Sequence, residues 1–370
     1  MKAGILQENL VKAVTAAARF ASVRAQLPIL SNILISAQKT KVFVSSTNLE
    51  ISISTQIGAK VSEDGEICVP SRVIAELIGN LPRETINLES EKEQLKISAS
   101  GFSSNVLGMN STDFPKVPNS VNSEKAIVLP KEDFVKALSQ VIFSASIDET
   151  RPVLTGVLFI WGKGDLTLVA TDGFRLSQKK IKIQGAKEGT RIILPKLILS
   201  EIQRTDEGDE ILINVREKEK QAVFGIGNVI LSSRLLEGEY PDFEKILPKS
   251  SSIKVLLDKE ELLRAVKLAS IFARDAANIV KIKLEGNSVK VFAESSASGS
   301  QETRVEAKIE GAGKDFEIAF NYRFLEEFLH SVTGEEIKME FSTADKAGVF
   351  TDTSDSSYLH LIMPVKIQGS

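Results

Sequence analysis

Cysteine, histidine and long apolar segments are scarce in this 370-residue chain, and each scarcity excludes a class of protein. Cys68 is the only cysteine, so no disulfide can form within the chain and no thiolate cluster can bind a metal. No apolar run approaches the roughly 20 residues that a membrane-spanning helix needs. The first residues lead into a polar helix too early for a signal peptide. We therefore expect a cytoplasmic protein with no membrane partner.

Motifs that support catalysis are also missing. His330 and His360 are the only histidines, and neither lies in a catalytic motif. Four segments match chemical motifs only in part: 156–164 and 225–227 lack the spacing of nucleotide-binding loops, 36–39 lacks the companions of an S-x-x-K nucleophile, and the acidic run 206–210 lacks calcium-loop spacing. We expect no catalytic residues, no metal and no cofactor, and therefore no enzyme.

The charge and composition narrow the remaining classes. A net charge of −3 excludes a uniformly basic nucleic-acid-binding protein but allows a local basic surface. With 42% hydrophobic and 26% charged residues, the chain has the composition of an ordered globular protein. Its length suits two or three domains, each with a core of its own.

One helical pattern occurs three times, at 7–22, 131–146 and 259–274, so that its starts are spaced by 124 and 128 residues. A shorter helix follows in each unit, beginning at Pro70, Pro195 and Asn321, with the prolines expected at the first helical position. Prolines near the ends of the units, at 115, 241 and 364, keep nearly the same interval. Because separate landmarks share one register, we interpret the chain as three copies of one domain, at 1–122, 123–250 and 251–370.

Each copy is predicted to contain helix, strands, helix and strands. The strand segments alternate apolar and polar residues, which is typical of antiparallel sheets with one buried face. The predicted fold class is therefore α+β, with two helices packed on antiparallel sheets in each domain.

Basic residues lie on the helices, opposite the apolar stripe. They are Lys12 and Arg19 in the first long helix, Lys136 in the second, Arg264, Lys267 and Arg274 in the third, and Arg72, Lys196, Arg204 and Arg323 in the shorter helices. Each one singly is explained by a solvated helix face. Three repeats around an axis would instead present them to one surface, which could contact DNA phosphates without reading sequence. No stacking aromatics or recognition helix accompany them, which argues against base-specific or single-strand binding.

The segment LTLVATDGFRL, at 166–176, begins as a strand, breaks at Thr171, Asp172 and Gly173, and then presents Phe174, Arg175 and Leu176. Turns of this kind occur in catalytic sites and in docking surfaces. Beside the apolar terminal strand, such a turn could accept the Leu and Phe side chains of an extended peptide. The alternative is that Leu154, Leu176 and Met363 belong to the core.

Three equal domains, LPILSNIL at 27–34, ATDGFRL at 170–176, YPDFEKILP at 240–248 and the terminal LIMPVKI together resemble the bacterial DNA sliding clamp family, the beta subunits of the replicative polymerase holoenzyme. The resemblance covers essentially the whole chain. It implies a DNA clamp fold and a head-to-tail homodimer that forms a closed ring, with helices lining the hole. It also implies a processivity factor that encircles duplex DNA regardless of sequence. Its partners would be the replicative polymerase, the clamp loader and other replication and repair factors with short linear motifs.

The resemblance also implies residue roles. Arg24 and Arg151 match positions that touch DNA, and Pro152 and Val153 stand where family members carry aromatics. The implied peptide pocket consists of Leu154, Thr171, Gly173, Phe174, Arg175, Leu176, Pro241, Ile246, Leu361, Ile362, Met363, Pro364 and Val365, with Lys245 at its rim. At the dimer contact, Ile271 and Phe272 match family positions, opposite Ser104 with Phe102 nearby. Gln368, Gly369 and Ser370 extend past the usual family terminus, beside the implied pocket.

Two other hypotheses for the function remain open. One is an enzyme built from repeats, with the turn at 172–175 as its active site, and it predicts turnover that is lost on Asp172→Ala. The other is an interaction scaffold that never encircles DNA. In that case replacing Lys267 and Arg274 by Glu leaves the function intact.

Overall fold

The computed structural model describes residues 1–22, 27–183, 188–248, 250–311 and 316–366. The chain divides into two compact units: unit 1 comprises 1–132 and 197–235, and unit 2 comprises 133–196 and 236–370. The second repeat is thus shared between the units. Each unit contains one complete junction between consecutive repeats, because strand pairing continues from one repeat into the next.

The six α-helices of the described residues occur in the predicted order, two in each repeat. They are α1 (Gln7–Ala18), α2 (Ser71–Gly79), α3 (Lys131–Val141), α4 (Lys196–Arg204), α5 (Lys259–Ala273) and α6 (Tyr322–Ser331). Helix α1 ends at Ala18, four residues before the end of its predicted segment, and α5 ends at Ala273, one residue before the end of its own. Helix α3 is followed by a 3₁₀ turn, Ile142–Ser144. Over the described part of the chain, no helix is both long and apolar enough to cross a bilayer.

The prolines before the shorter helices do not occupy the first helical position that we predicted. Pro70 is the last residue of an edge strand and pairs with Asn32, and Pro195 likewise ends an edge strand, paired with Gly156. Proline lacks the N–H that an interior strand would need, so the end of an edge strand suits it. Each helix therefore begins one residue later.

The strands of the described residues number twenty-five. In the first repeat they are β1 (Lys2–Leu6), β2 (Asn32–Gln38), β3 (Lys41–Thr47), β4 (Ile51–Gly58), β5 (Lys60–Glu63), β6 (Gly65–Pro70), β7 (Thr85–Glu91), β8 (Gln94–Ala99) and β9 (Phe102–Leu107). In the second repeat they are β10 (Ile127–Pro130), β11 (Gly156–Trp161), β12 (Asp165–Thr171), β13 (Arg175–Lys182), β14 (Arg191–Pro195), β15 (Glu210–Arg216), β16 (Gln221–Ile226) and β17 (Val229–Arg234). In the third they are β18 (Ile253–Asp258), β19 (Ile279–Glu285), β20 (Ser288–Ser295), β21 (Gly299–Glu310), β22 (Glu317–Asn321), β23 (Glu336–Phe341), β24 (Gly348–Asp352) and β25 (Asp355–Ile362). Two helices and antiparallel strands in each repeat confirm the α+β prediction.

Each repeat contains two three-stranded meanders. The first meanders are β2-β3-β4, β11-β12-β13 and β19-β20-β21, and the second meanders are β7-β8-β9, β15-β16-β17 and β23-β24-β25. Every one of these pairings is antiparallel, so short turns suffice to connect the strands.

Unit 1 contains a five-stranded sheet, β5-β1-β7-β8-β9, and an eight-stranded sheet, β10-β15-β16-β17-β4-β3-β2-β6. In the larger sheet, β4 of the first repeat pairs with β17 of the second, from Ile51 opposite Ser233 to Thr55 opposite Val229. We call this pairing the first seam. Helix α1 packs on β3 and β4 through an apolar face that includes Leu10 and Val14.

Unit 2 contains a twelve-stranded sheet, β14-β11-β12-β13-β25-β24-β23-β18-β21-β20-β19-β22. Here β13 of the second repeat pairs with β25 of the third, from Arg175 opposite Ile362 to Lys179 opposite Tyr358. We call this pairing the second seam. Helices α5 and α6 pack together, and α5 also packs on β20 and β21.

The same rule governs both seams. The last strand of one repeat's first meander pairs with the last strand of the next repeat's second meander. The corresponding strands at the two ends of the series are β9 and β21. Strand β9 pairs with β8 alone among the described strands, and residues 299–306 of β21 pair there with β20 alone. Both therefore carry an unpaired edge.

Candidate functional site

The turn that the sequence singled out is fixed by its own side chains. The Thr171 hydroxyl donates to the carbonyl oxygen of Arg175 (2.6 Å) and accepts from the amide of Gly173 (3.0 Å). Asp172 Oδ1 accepts from the amides of Phe174 (2.9 Å) and Arg175 (3.1 Å). Gly173 has φ +94°, a left-handed conformation that favours glycine. The result is a stiff turn with Phe174 at its tip, 61% exposed.

Apolar side chains line one face of the sheet beside this turn. Leu176 and Leu361 are direct partners across the second seam, and both belong to a buried cluster. Its other members are Leu158, Val169, Ile193, Phe243, Ala347 and Val349. Phe174 directly precedes β13 and Met363 directly follows β25, each two positions from a leucine of this pair, and both are exposed. The Met363 amide donates to the Phe174 carbonyl (2.8 Å), which ties the terminal segment to the turn.

The remaining predicted pocket residues differ in how deeply they are buried. Leu154 is buried, whereas Pro241, Lys245 and Ile246 are exposed and Pro364 and Val365 are half-buried. Lys245 Nζ lies 2.8 Å from Asp242 Oδ2. We call the buried pair of Leu176 and Leu361 the apolar floor, and the exposed apolar residues Phe174, Ile246 and Met363 the apolar rim.

Arg175 and Ile362 lie on the opposite face of the sheet and do not line the predicted pocket. Ile362 is fully buried in the core of the third repeat. Arg175 is 8% exposed, and its guanidinium donates to Asp172 Oδ2 (3.1 Å), to the Phe143 carbonyl (2.7 Å) and to Glu327. It also lies 4.5 Å from the centre of the Phe324 ring. The sequence interpretation grouped consecutive residues, but consecutive strand residues point to opposite faces.

Lys196 lies beside this buried arginine and is half-buried, although we predicted it on an exposed basic surface. Burial lowers the pKa of Lys196, and the positive charge of Arg175 lowers it further, while Glu327 and Asp172 act in the opposite direction. Its position directly after β14 holds it near the sheet. It is therefore a poor candidate for contact with DNA.

The other predicted DNA-contacting residues within the described ranges are exposed. These are Lys12, Arg72, Lys136, Arg151, Arg204, Arg264, Lys267 and Arg274. Three of them form ion pairs: Arg72 with Glu76, Arg151 with Asp148 and Arg204 with Glu201. Arg24 and the terminal residues 368–370 lie outside the described residues.

Arg151 also lies against the turn at 171–175, which the sequence interpretation missed. A Cβ atom placed on Gly173 would come within 3.4 Å of Arg151 Nη1. The two residues are 22 positions apart, and no local motif signals their proximity. A cation therefore stands beside the exposed apolar rim.

The first repeat contains the same turn with a different surrounding. Thr47 Oγ1 donates to the Ile51 carbonyl (2.9 Å) and accepts from the Leu49 amide (3.0 Å), while Asn48 Oδ1 accepts from the amides of Glu50 and Ile51. Leu49 stands where the second repeat has glycine and has φ +77°. Beside this turn, the cross-strand partners Ser52 and Ser232 replace Leu176 and Leu361. The apolar floor thus accompanies the second turn.

The predicted dimer residues lie near the two unpaired edges. Phe102 and Ser104 are half-buried on β9. Ile271 on α5 is 56% exposed, whereas Phe272 packs partly against the core of the third repeat. Gly299, the first residue of β21, lies close to Phe272, since a Cβ atom placed on it would be 4.0 Å from the ring.

Comparison with known proteins matches all three repeats. Family models for the DNA polymerase III beta subunit match its N-terminal domain at 1–118, its central domain at 128–242 and its C-terminal domain at 244–366. A beta sliding clamp from Staphylococcus aureus is 30% identical over 355 residues, which cover 93% of this chain and 94% of that protein. The DNA polymerase sliding clamp of Bacillus subtilis superposes with a TM-score of 0.93 at 27% identity, and each chain is 99% covered. The DNA polymerase III beta subunit of Thermotoga maritima superposes with a TM-score of 0.90 at 26% identity, also with 99% of each chain covered.

Proposed function

Because this chain belongs to the family of bacterial DNA polymerase III beta subunits, the sliding clamps, we propose that two copies close head to tail into a ring around duplex DNA. The ring acts as a processivity factor in DNA replication. It catalyses no reaction and needs no cofactor, and it works in the cytoplasm by keeping its partners at the template.

The seam rule is the observation that carries this proposal. Two seams join three repeats within the chain, and the same rule leaves β9 at one end and residues 299–306 of β21 at the other. Pairing β9 of one copy with β21 of another repeats the rule and covers both edges, which are otherwise open to aggregation. Such a contact joins different surfaces of the two copies, so it forms a ring when the rotation closes.

The exposed basic residues of the three long helices, α1, α3 and α5, support contact with the DNA backbone. Lys12, Lys136, Arg264 and Lys267 occupy the outward face of α1, α3 and α5. Contacts of this kind depend on phosphate charge, so they are independent of base sequence and weaken as salt increases. Enclosure makes strong direct binding unnecessary, which fits a chain with a net charge of −3. Arg24, Arg72, Arg151, Arg204 and Arg274 remain proposed members of this surface.

The turn at 171–175, which we call the docking turn, is the proposed attachment point for partners. An extended segment can place apolar side chains against Phe174, Ile246 and Met363, over the floor formed by Leu176 and Leu361. Arg151 and Lys245 would then lie near acidic or main-chain oxygen atoms of the segment. The partners are the replicative polymerase, the clamp loader, and other replication and repair factors that carry short linear motifs.

Primer extension on a long single-stranded circular template tests the proposal. With the organism's own polymerase, clamp loader and ATP, addition of this protein should lengthen the product made in one polymerase binding event by at least tenfold. Omission of the loader is the control and should remove most of the gain, since a closed ring needs help to open. Equal product lengths with and without the protein would contradict the proposal.

A further inference from the structure

The sixth residue of the shorter helix is a glutamate in each of the three repeats. These residues are Glu76 in α2, Glu201 in α4 and Glu327 in α6. In two of the three repeats the glutamate binds an arginine of the preceding repeat. The remaining glutamate, Glu76, lies in the first repeat, which has no preceding repeat in its own chain.

Glu201 makes such a contact at the first seam. It is 4% exposed, and its Oε2 accepts from Arg19 Nε at 2.8 Å while its Oε1 accepts from Arg204 Nη1 at 2.7 Å. Arg19 belongs to the first repeat, where it caps the C-terminus of α1. The contact therefore joins the end of one repeat's long helix to the next repeat's shorter helix.

Glu327 makes the equivalent contact at the second seam with a different arginine. It binds Arg175, the first residue of β13 in the second repeat. Arg175 is nearly buried, so its charge requires a partner. The position of the glutamate is thus the same at both seams, whereas the position of the arginine is not.

Glu76 has only a local partner. Its side chain is 67% exposed and pairs with Arg72, one turn earlier on the same helix, whose side chain is 90% exposed. Exposed pairs of this kind are weak and exchange partners readily. Val73, the third residue of α2, is 47% exposed, whereas the third residues of α4 and α6, Ile198 and Phe324, are buried and partly buried. The corresponding face is covered in α4 and partly covered in α6, where the Glu327 side chain is 45% exposed, whereas in α2 it faces solvent.

We propose that the α5 end of a second copy covers this face, with Arg274 bound to Glu76 and Ile271 packed against Val73. Helix α5 is the long helix of the third repeat, and Arg274 caps its C-terminus as Arg19 caps that of α1. Ile271 occupies the position of Arg19 in the repeat register and is exposed. Arg274 is also exposed and forms no ion pair within the described part of its own chain.

We assign this face to a second copy because the unpaired edges of β9 and β21 also predict contact with a second copy. The seam rule brings β21 of one copy to β9 of the other, and β21 begins close to Phe272, next to Ile271 on α5. The inference rests on the proposed head-to-tail dimer and assigns Arg274 to the interface in place of the DNA surface.

Charge exchange across the contact tests the inference. The dimer dissociation constants of the wild type, Glu76→Arg, Arg274→Glu and the double variant are measured by sedimentation velocity over a dilution series at low salt. Each single change places like charges together, so we expect at least tenfold weaker association. The double variant restores opposite charges and should return to within about threefold of the wild type.

Lys267→Glu is the matched control, since it makes the same change in charge at an exposed site two turns earlier on α5. It should change the dissociation constant by less than twofold. Circular dichroism and thermal unfolding verify that each variant is folded, and Glu76→Gln provides a second variant that removes the charge without creating a clash. A dimer that tolerates both single charge changes would overturn this inference while leaving the ring proposal intact. A wild type that stays monomeric at every concentration would overturn both.

Discussion

The hydroxyl oxygen of Ser52 lies 2.7 Å from that of Ser232, at the position in the first seam where the second seam has Leu176 opposite Leu361. The backbone arrangement is the same at both seams, down to the hydrogen bonds of the adjoining turn. The side chains differ, with hydroxyls in one seam and leucines in the other. This difference explains why one chain with two such turns has an apolar floor beside the second turn alone.

The Ser52–Ser232 pair predicts a non-additive effect on stability. Ser232→Ala leaves the buried Ser52 hydroxyl without this partner and should lower the free energy of unfolding by about 1–2 kcal/mol. The double change to alanine removes both polar groups and should cost less than the single change. Urea unfolding of the three proteins measures the effect. A double variant whose loss equals the sum of the two single losses would show that the hydroxyls do not interact.

Glycine should be the more stable residue at the left-handed position of both turns. Leu49 has φ +77° and is half-exposed, so Leu49→Gly should relieve strain and stabilise the protein by about 0.5–1 kcal/mol. Gly173→Leu imposes the same strain at φ +94° and should destabilise the protein by about 1 kcal/mol or more. Thermal unfolding of both variants checks the signs. Changes of the same sign in the two turns would contradict the account.

Phe174 and Leu49 also provide a matched pair for the docking proposal, since both are exposed apolar residues on equivalent turns. Phe174→Ala should weaken the binding of a fluorescent peptide, taken from the clamp-binding segment of the organism's replicative polymerase, by about tenfold or more. Leu49→Ala should leave that affinity unchanged, because hydroxyls adjoin its turn. Fluorescence anisotropy measures both affinities. Equal losses from the two changes would argue against a docking site confined to the second turn.

Asp355 predicts a pH dependence of stability. Burial by itself would raise the pKa of Asp355, but hydrogen bonds from Lys179, Ser357 and Gln140 and the charge of Lys179 outweigh it and lower the pKa to about 2. Lys179 Nζ lies 2.5 Å from Asp355 Oδ2, and both side chains are largely buried. A carboxyl group whose pKa is lowered by folding stabilises the protein above its unfolded pKa of about 4, and this stabilisation is lost as the pH falls towards 2.

Asp355→Asn should therefore lower the free energy of unfolding by about 3 kcal/mol at pH 7, because Lys179 stays buried without its counter-charge. The loss should shrink between pH 4 and pH 2, where the wild type also loses the interaction. Urea unfolding at several pH values measures it. Asp242→Asn is the control, since Asp242 pairs with Lys245 at an exposed site and should have little effect. A loss that is the same at pH 7 and pH 2 would exclude the carboxylate as its source.

The sequence was sufficient to predict the three repeats, the order of helices and strands, and the exposed tip at Phe174. Those features depend on local periodicity and on landmarks that recur at a nearly constant interval.

The errors arose where tertiary contacts decide the environment of a charged residue. The partners of Arg175 include Glu327, which is 152 positions away, and those of Arg19 include Glu201, which is 182 positions away. No local pattern reports such contacts. Lys196 looked like a solvated helix residue for the same reason, because its burial depends on neighbours that the helix itself does not contain.

Retention on circular nicked DNA, before and after linearisation, tests the central claim of topological enclosure most directly. The labelled protein is loaded with clamp loader and ATP, unbound protein is removed by gel filtration, and half of the sample is then cut once with a restriction enzyme. A ring should stay on the circle and leave the linear form rapidly as it slides off the ends. Equal retention on circular and linear DNA would mean ordinary surface binding and would contradict the account.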